Sequence, residues 1–420
     1  MELNEGYKQT EVGLLPKDWD VVAIKDIASR NKKWSFTGGP FGSNLKSTDY
    51  TNSGIRIIQL QNIGDGKFLD DYAIYTSIEK ANELLSCNIY PGDLILSKMG
   101  DPVARACLVP NIHSRYLMCS DGIRLAIDGT EASFFYYNFI NSPSFRKQAE
   151  EVSTGSTRKR IGLTQLKKLL LPKPSLAEQT AIAKALSDAD AWIQSLTQLI
   201  AKKRQIKQGA LHNLLSPKDN WFEIKLKDVA ILKARIGWQG LTTSEYLSNG
   251  NYYLVTGTEF KDGYIDWANC YYVDEERYKQ DKSIQLQQED VLVTKDGTIG
   301  KVAYINALDK PATLNSGVFV IRPKKEAFEP LFFYYILCSK YFSTFLNQLT
   351  AGSTINHLYQ KDFVDFSFKS PPSLEEQKSI AFVLSDMDNE ISGLERKLKK
   401  AKQIKQGMMQ NLLTGRIRLI

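Results

Sequence analysis

Apolar side chains at Ile182, Leu186, Ala189, Ile193, Leu196 and Ile200 follow one another at steps of 4, 3, 4, 3 and 4, and the same steps separate Ile380, Leu384, Met387, Ile391, Leu394 and Leu398. Such steps place every apolar residue on one narrow seam of an α-helix, the pattern of a coiled coil rather than the broader stripe of a helix lying on a globular core. Each run opens with the same start signal: a proline (Pro174, Pro372), then a serine (Ser175, Ser373), then a glutamate three residues on (Glu178, Glu376). This predicts a capping box, with both side chains on free amides of the first turn. At 1.5 Å per residue, about 40 residues make a rod on the order of 60 Å long, and a lone helix of that length cannot hide its seam. Each helix packs on its own domain, or the two pair with each other; their matched phase and length favour pairing.

The two runs are copies of one another. Residues 174–215 align without a gap on 372–413 at a spacing of 198, with 22 of 42 positions identical. The identities include Leu186-Ser187-Asp188 with Asp190 against Leu384-Ser385-Asp386 with Asp388, and Gln205-Ile206-Lys207-Gln208-Gly209 against Gln403-Ile404-Lys405-Gln406-Gly407. Fainter landmarks repeat in the same order ahead of each copy: Trp19 and Trp221, Pro91-Gly92-Asp93 and Gln288-Glu289-Asp290, Phe134 to Tyr137 and Phe332 to Tyr335, and Gly155-Ser156-Thr157 and Gly352-Ser353-Thr354. A chain doubled within itself is read as two units. In each, β-prone runs such as Ile55 to Ile58 and Tyr252 to Val255 alternate with turns such as Gly64-Asp65-Gly66 and Lys261-Asp262-Gly263, and a helix is expected at 131–151 and 327–348. The fold class expected is α+β: globular domains at 1–172 and 216–371 in tandem pseudo-repeat, followed by helical segments at 173–215 and 372–420. Between the landmarks the halves differ almost freely, so one scaffold carries two surfaces.

With 43% hydrophobic and 24% charged residues over 420 positions, the chain has globular composition, which excludes disordered, collagen-like and membrane-spanning classes. Its first residues lack a secretory signal pattern and no stretch has about 18 uninterrupted apolar residues, so the expectation is a soluble, cytoplasmic protein with no membrane partner. Five cysteines without a C-x-x-C pair predict reduced, mostly buried thiols. Of the net charge of +7, five units fall in the two helical segments, so charge alone does not establish a DNA-binding protein. Catalytic constellations fail on inspection. Gly297 to Lys301 resembles a phosphate loop, but Lys295 stands where a glycine is needed and Val302 where a hydroxyl would ligate magnesium. Neither a zinc-protease nor a serine-hydrolase motif occurs, the spacing of Cys107, His113 and Cys119 is not that of a metal site, and no N/D-P-P-Y/F methyltransferase loop is present. Glu223-Ile224-Lys225 reads as a strand with outward charges, and Phe332 to Tyr335 as core. The chain reads as non-catalytic, with no metal or cofactor of its own.

Two dissimilar domains separated by near-identical P-S-L-x-E-Q, L-S-D-x-D, Q-I-K-Q-G and N-L-L helices resemble the specificity subunit of a bacterial type I restriction–modification enzyme. The likeness covers nearly the whole chain, including Gly39-Pro40-Phe41-Gly42-Ser43, Arg235 to Leu241 and the two Gly-Ser-Thr turns. The resemblance implies that each domain is a target-recognition domain reading one half of a split double-stranded DNA target. It also implies that the helices form an antiparallel coiled coil that spaces the domains and docks two methyltransferase subunits. S-adenosylmethionine, ATP and magnesium then belong to partners, the last two to restriction subunits that join the complex. Phosphate clamps position and base-edge contacts specify. In the first domain the candidates are Ser156, Thr157, Arg158, Lys159 and Arg160, a turn followed by three cations, with Lys46, Lys98 and Arg105 beside glycine-rich loops. In the second they are Arg235, Trp238 and Gln239 for base edges, Lys295 and Lys301 for phosphates, and Ser353, Thr354 and His357 at the corresponding turn. On the helices, Ile182, Leu186, Ile193, Leu196, Ile380, Leu384, Ile391 and Leu394 are expected in the seam. Ile206 and Ile404, in the repeated Q-I-K-Q-G, are expected at a partner protein.

Overall fold

The computed structural model describes residues 6–156, 158–350 and 357–419, without the side chains of Trp238 and Thr350. The chain packs as two units, residues 1–197 with 396–420 and residues 198–395. The division therefore runs through the middle of each long helix, and each globular part keeps half of both.

In the first unit Asp20–Ala23 pairs antiparallel with Leu170–Lys173, so a strand near the start of the domain holds the last one at the point where the chain enters Pro174. Inside lies an antiparallel sheet in the order Ala106–Leu108, Leu94–Ser97, Gly122–Leu125, Phe36–Gly38. A second sheet contains Ile55–Ile58, the run expected to be a strand, paired in parallel with Tyr116–Met118. The second unit repeats the plan. Phe222–Lys225 pairs with Ser367–Ser370, an antiparallel sheet runs Ala230–Lys233, Val318–Pro323, Val291–Thr294, Val302–Tyr304, and Tyr252–Val255 pairs in parallel with Ala312–Leu314. Glu223 and Lys225 point outward around the buried Ile224, as alternation requires. Phe332 to Tyr335 are all buried core, as expected.

The helices expected over 131–151 and 327–348 are each broken in two, at Ser133–Ile140 and Pro143–Glu151 and at Pro330–Leu337 and Lys340–Thr350. Pro143 has no amide to continue the first helix, and Ser142 caps the next by accepting from the Phe145 N–H at 3.4 Å. In the second unit Ser339 Oγ accepts from the Tyr341 N–H at 3.3 Å at the equivalent break.

The long helices span Leu176–Leu214 and Leu374–Leu412. Half of the expected capping box forms on the first: Ser175 Oγ accepts from the Glu178 N–H at 3.3 Å. The Glu178 carboxylate turns inward instead, accepting from Trp19 Nε1 at 2.9 Å and from Arg418. The next residue of the repeated motif is also an internal tie. Gln179 Oε1 accepts from the Ala132 N–H at 3.0 Å while its Nε2 donates to Glu131 and to the Pro174 carbonyl. Gln377 does the same with the Glu329 N–H at 2.8 Å, Ser370 Oγ and the Pro371 carbonyl. Both amides are buried and fully used, which fixes each helix start to its own domain.

The seam residues divide by position. Ile182 and Leu186 join the core of the first unit with Trp19, Phe135, Leu412 and Leu413; Ile380 and Leu384 join that of the second with Trp221, Phe332 and Leu211. The opening turns thus do what a helix on a globular core does, contrary to the expectation from spacing alone, because the halved units supply that core. Leu196 and Ile391 are also buried, and Ile193 and Leu394 half-buried. Charged pairs join the two helices inside each unit. Lys405 Nζ lies 2.5 Å from Asp190 in the first. In the second Lys207 pairs with Asp388, Lys203 lies 2.6 Å from Glu390 and Arg204 2.6 Å from Glu395. Asp190 and Asp388 are repeat equivalents, as are Lys207 and Lys405, so the L-S-D-x-D aspartate and the Q-I-K-Q-G lysine meet in both units. Lys207 and Lys405 of the repeated Q-I-K-Q-G are therefore engaged within the chain.

A buried ion pair is likewise built twice. Asp93 Oδ2 accepts from Arg124 Nε at 2.7 Å and from the Tyr90 N–H at 3.1 Å. Asp290 accepts both arms of Arg322, at 2.6 and 2.7 Å, and the Gln287 N–H at 2.7 Å. Cys87, Cys107 and Cys270 are buried free thiols, and burial pushes the Cys107 and Cys270 thiols up to about 12, which leaves them unreactive near neutrality. Among the described residues no helix is long and apolar enough to cross a membrane.

Candidate nucleic-acid interface

Four chain segments converge at one end of the antiparallel sheet in the first unit. They are the glycine-rich turn after Phe36–Gly38, the segment after Leu94–Ser97, the approach to Gly122–Leu125 and residues 154–156 with 158–161. Backbone hydrogen bonds lock them together: Lys98 N–H donates to the Asp121 carbonyl at 2.7 Å, Ile161 N–H to the Lys98 carbonyl at 2.8 Å, and Gly39 N–H to the Gly122 carbonyl at 2.8 Å. The second unit repeats two of these at equivalent positions. Lys295 N–H donates to the Gly317 carbonyl at 2.9 Å and Leu358 N–H to the Lys295 carbonyl at 2.8 Å. The frame is common, with a lysine at its centre in both units, while most of the side chains around it differ.

Most of the expected first-domain residues meet there. Lys98 is half-buried, its ammonium donating to the Ser120 carbonyl at 2.7 Å; burial pulls its pKa below the ordinary lysine range, with Asp121 pulling the other way. Arg160 is exposed and paired with Asp121 at 2.9 Å, and Lys159 is paired with Glu150 at 3.1 Å. Arg158 and Lys46 are exposed, and neither side chain has a hydrogen-bond or ion-pair partner among the described residues. Ser156 is exposed beside Gly155, whose φ of +96° gives the turn its left-handed step; Thr157 lies outside the described residues. Lys98 and Arg160 line a cavity of about 590 Å³ with Gly38 to Gly42, Cys87 and Ser120.

Arg105 corrects the sequence reading. Its guanidinium donates to the Ile63 carbonyl at 2.5 Å and the Leu60 carbonyl at 3.2 Å, tying a loop inside the domain. Arg235, expected at a base edge, is a second correction: it is 1% exposed and bonded to the Leu314 carbonyl at 2.8 Å, Gln280 Oε1 at 3.0 Å and Thr313 Oγ1 at 3.2 Å. Burial lowers its pKa, but those acceptors hold the guanidinium in place as a brace. Sequence gave no sign of this, since the acceptors come from segments 42 or more residues away.

In the second unit Gln239 is half-buried in the 3-10 turn Gly237–Gln239, and its Oε1 is buried without a hydrogen-bond partner among the described residues. The Trp238 backbone belongs to the same turn; its side chain is outside what is described. Lys295 is half-buried with its ammonium 5.5 Å from the centre of the Phe319 ring. Lys301 is exposed at the end of a turn in which its N–H donates to Thr294 Oγ1 at 2.9 Å. His357 Nδ1 contacts Asp296 at the position equivalent to the Met99–Arg160 bridge of the first unit. Ser353 and Thr354 lie outside the described residues. On the helices, Ile206 is 46% and Ile404 43% exposed, both outside the seam. Among the described residues no cluster of three His, Cys, Asp or Glu side chains gathers as a metal site.

Residues 16–208 and 218–406 each match the family described as the type I restriction modification DNA specificity domain. The chain is 25% identical over 439 aligned residues to the type I restriction enzyme MjaX specificity subunit of Methanocaldococcus jannaschii, covering 99% of this chain and 97% of that one. It is 23% identical to the EcoBI specificity subunit of Escherichia coli, covering 79% and 74%. Its fold is similar to that of the type I restriction–modification S subunit from M. genitalium, with a TM-score of 0.60 and 17% identity over 98% of both chains. Two matches spanning most of its length show that the chain belongs to the type I restriction modification DNA specificity family, the non-catalytic, DNA-recognising components of systems whose enzymatic activity lies in other subunits.

Proposed function

We propose that each globular domain reads one half of a bipartite, asymmetric DNA target, and that the long helices, paired as an antiparallel coiled coil, set the gap between the half-sites and dock two methyltransferase subunits. The observation that carries this reading is the sheet end built twice with the same backbone bonds around a shared lysine and otherwise mostly unlike side chains. That is the arrangement expected of one scaffold adapted to two sequences. Lys46, Arg158 and Arg160 in the first domain and Lys301 in the second are exposed and suit phosphates, whereas the half-buried Gln239, whose amide oxygen has no hydrogen-bond partner among the described residues, is assigned to a base edge. Lys98, Ser156, Lys159, Lys295 and His357 complete the two surfaces, and Thr157, Trp238, Ser353 and Thr354 are assigned the same role from the sequence alone. With both sensors on one spacer, the second engagement is intramolecular and affinity rises through effective concentration. S-adenosylmethionine comes with the methyltransferase subunits, and ATP and magnesium with restriction subunits; the assembly works in the bacterial cytoplasm, where its DNA is.

Exposed Ile206 and Ile404, in a motif kept in both copies, support a protein contact at that part of each helix. Duplex binding across several salt concentrations, with the methyltransferase present, tests both parts. The wild-type chain is expected to lose affinity for all duplexes as salt rises while keeping its preference for one sequence. The Ile206→Asp, Ile404→Asp chain is expected to lose methyltransferase co-purification. Absence of any sequence preference, or intact assembly of the double variant, would count against the corresponding part.

A further inference from the structure

Phenylalanine seldom stands in water, yet Phe41 is 81% exposed. The turn that presents it is not loose at its base. A Cβ on Gly39 would lie 1.7 Å from the Cys119 carbonyl oxygen, so the backbone there packs directly on the approach to the neighbouring strand. Asn44 N–H donates to the Phe41 carbonyl at 2.8 Å and closes the turn. Phe41 lines the same cavity as Lys98 and Arg160, so an apolar ring projects among cations from a fixed support.

The second unit has the same device in other residues. Ile236 follows the equivalent edge strand, Ala230–Lys233, and is 53% exposed. Directly before it Arg235 is buried and braced by its hydrogen bonds; three residues after it Gln239 N–H donates to the Ile236 carbonyl at 2.9 Å. Each domain thus ends its edge strand in an apolar tip on a rigid turn, and the tips differ.

Cations around a Phe41 tip suit a polyanion better than an apolar protein groove. In the major groove the one apolar group a base pair offers is the thymine 5-methyl. We infer that Phe41 and Ile236 are specificity-determining contacts, each packing on the methyl group of a thymine in the half-site read by its own domain. This inference rests on the DNA-reading function proposed above.

The test is selection of bound duplexes from a pool randomised at every target position, with the methyltransferase present. Phe41→Ala is expected to lower discrimination about ten-fold at one thymine of one half-site, Phe41→Leu to retain it, and Ile236→Ala to act only in the other half-site. Uracil in place of that thymine should reproduce the loss in the wild-type chain and add nothing in Phe41→Ala. Unchanged preferences in both alanine variants, with unchanged thermal melting, overturn the inference and leave the DNA reading standing. A loss insensitive to uracil overturns the methyl contact. Loss of methyltransferase co-purification with preferences intact overturns it in favour of a protein contact. A wild-type chain without any preference refutes the underlying reading instead.

Discussion

Asp93→Ala is expected to destabilise the first unit by about 3–5 kcal/mol, the cost of leaving a buried charge without its partner. The Asp93 side chain is 2% and that of Arg124 4% exposed. The guanidinium also donates to the Asn88 carbonyl at 3.3 Å and lies 5.0 Å from the centre of the Tyr90 ring, so it has no route to water when the carboxylate goes. The Tyr90 N–H loses its acceptor in the same step. Asp290→Ala should act in the same direction but less strongly in the second unit, where Arg322 is held by both arms yet is 21% exposed. Removing both charges, as in Asp93→Leu with Arg124→Met, should recover much of the loss, because the desolvation cost disappears with them. Amide hydrogen exchange read separately over the two units measures this; a change below about 1 kcal/mol in protection of Leu94–Ser97 and Gly122–Leu125 would refute it.

The second large effect is expected from the far end of the chain. Arg418 belongs to the first unit and closes on its helix start, with Nε 2.5 Å from Glu178 Oε1, Nη2 2.7 Å from Glu178 Oε2 and Nη1 3.0 Å from Asp18 Oδ1. Its hydrogen bond holds the Asp18 carboxyl below the usual range. The Glu178 side chain is 1% exposed, so Arg418→Ala strands a carboxylate whose remaining close donor is Trp19 Nε1. The expected loss is about 3 kcal/mol, toward the low end for a broken buried pair because the arginine side chain is 25% exposed. The equivalent glutamate of the second unit, Glu376, pairs with the exposed Lys218 at 2.7 Å, and the Trp221 indole nitrogen is buried without a partner among the described residues. Faster exchange should therefore be confined to the start of the first long helix and its contacts with Trp19. Equal loosening of both units, or none, would contradict this account.

The long helices and the duplication were legible because they are local: a period and a copy need no tertiary knowledge. The strands at Ile55–Ile58 and Tyr252–Val255 were legible for the same reason. What escaped were roles that depend on residues distant in sequence. Asp93 stood out as a landmark, but its meaning lies in Arg124, 31 residues on and on the adjacent strand. Gln179 and Gln377 were plainly repeated, yet their job is to satisfy amides 47 and 48 residues away. Arg235 was misplaced because an arginine in a glycine-rich loop looks like a reader until its acceptors are known. The first turns of the seam were misjudged because a steady four–three spacing suits any partner surface, and a globular core occupies it there. Among the candidate interface residues, Arg158, Lys46 and Lys301 keep the exposure their proposed role requires.

The most direct test of the central claim is to replace residues 216–371 with the corresponding domain of another specificity subunit and map the methylated sites of a genome. The account predicts that one half-site changes while the other half-site and the number of base pairs between them stay as they were. A recognition sequence altered in both halves, or one without a gap, would contradict it.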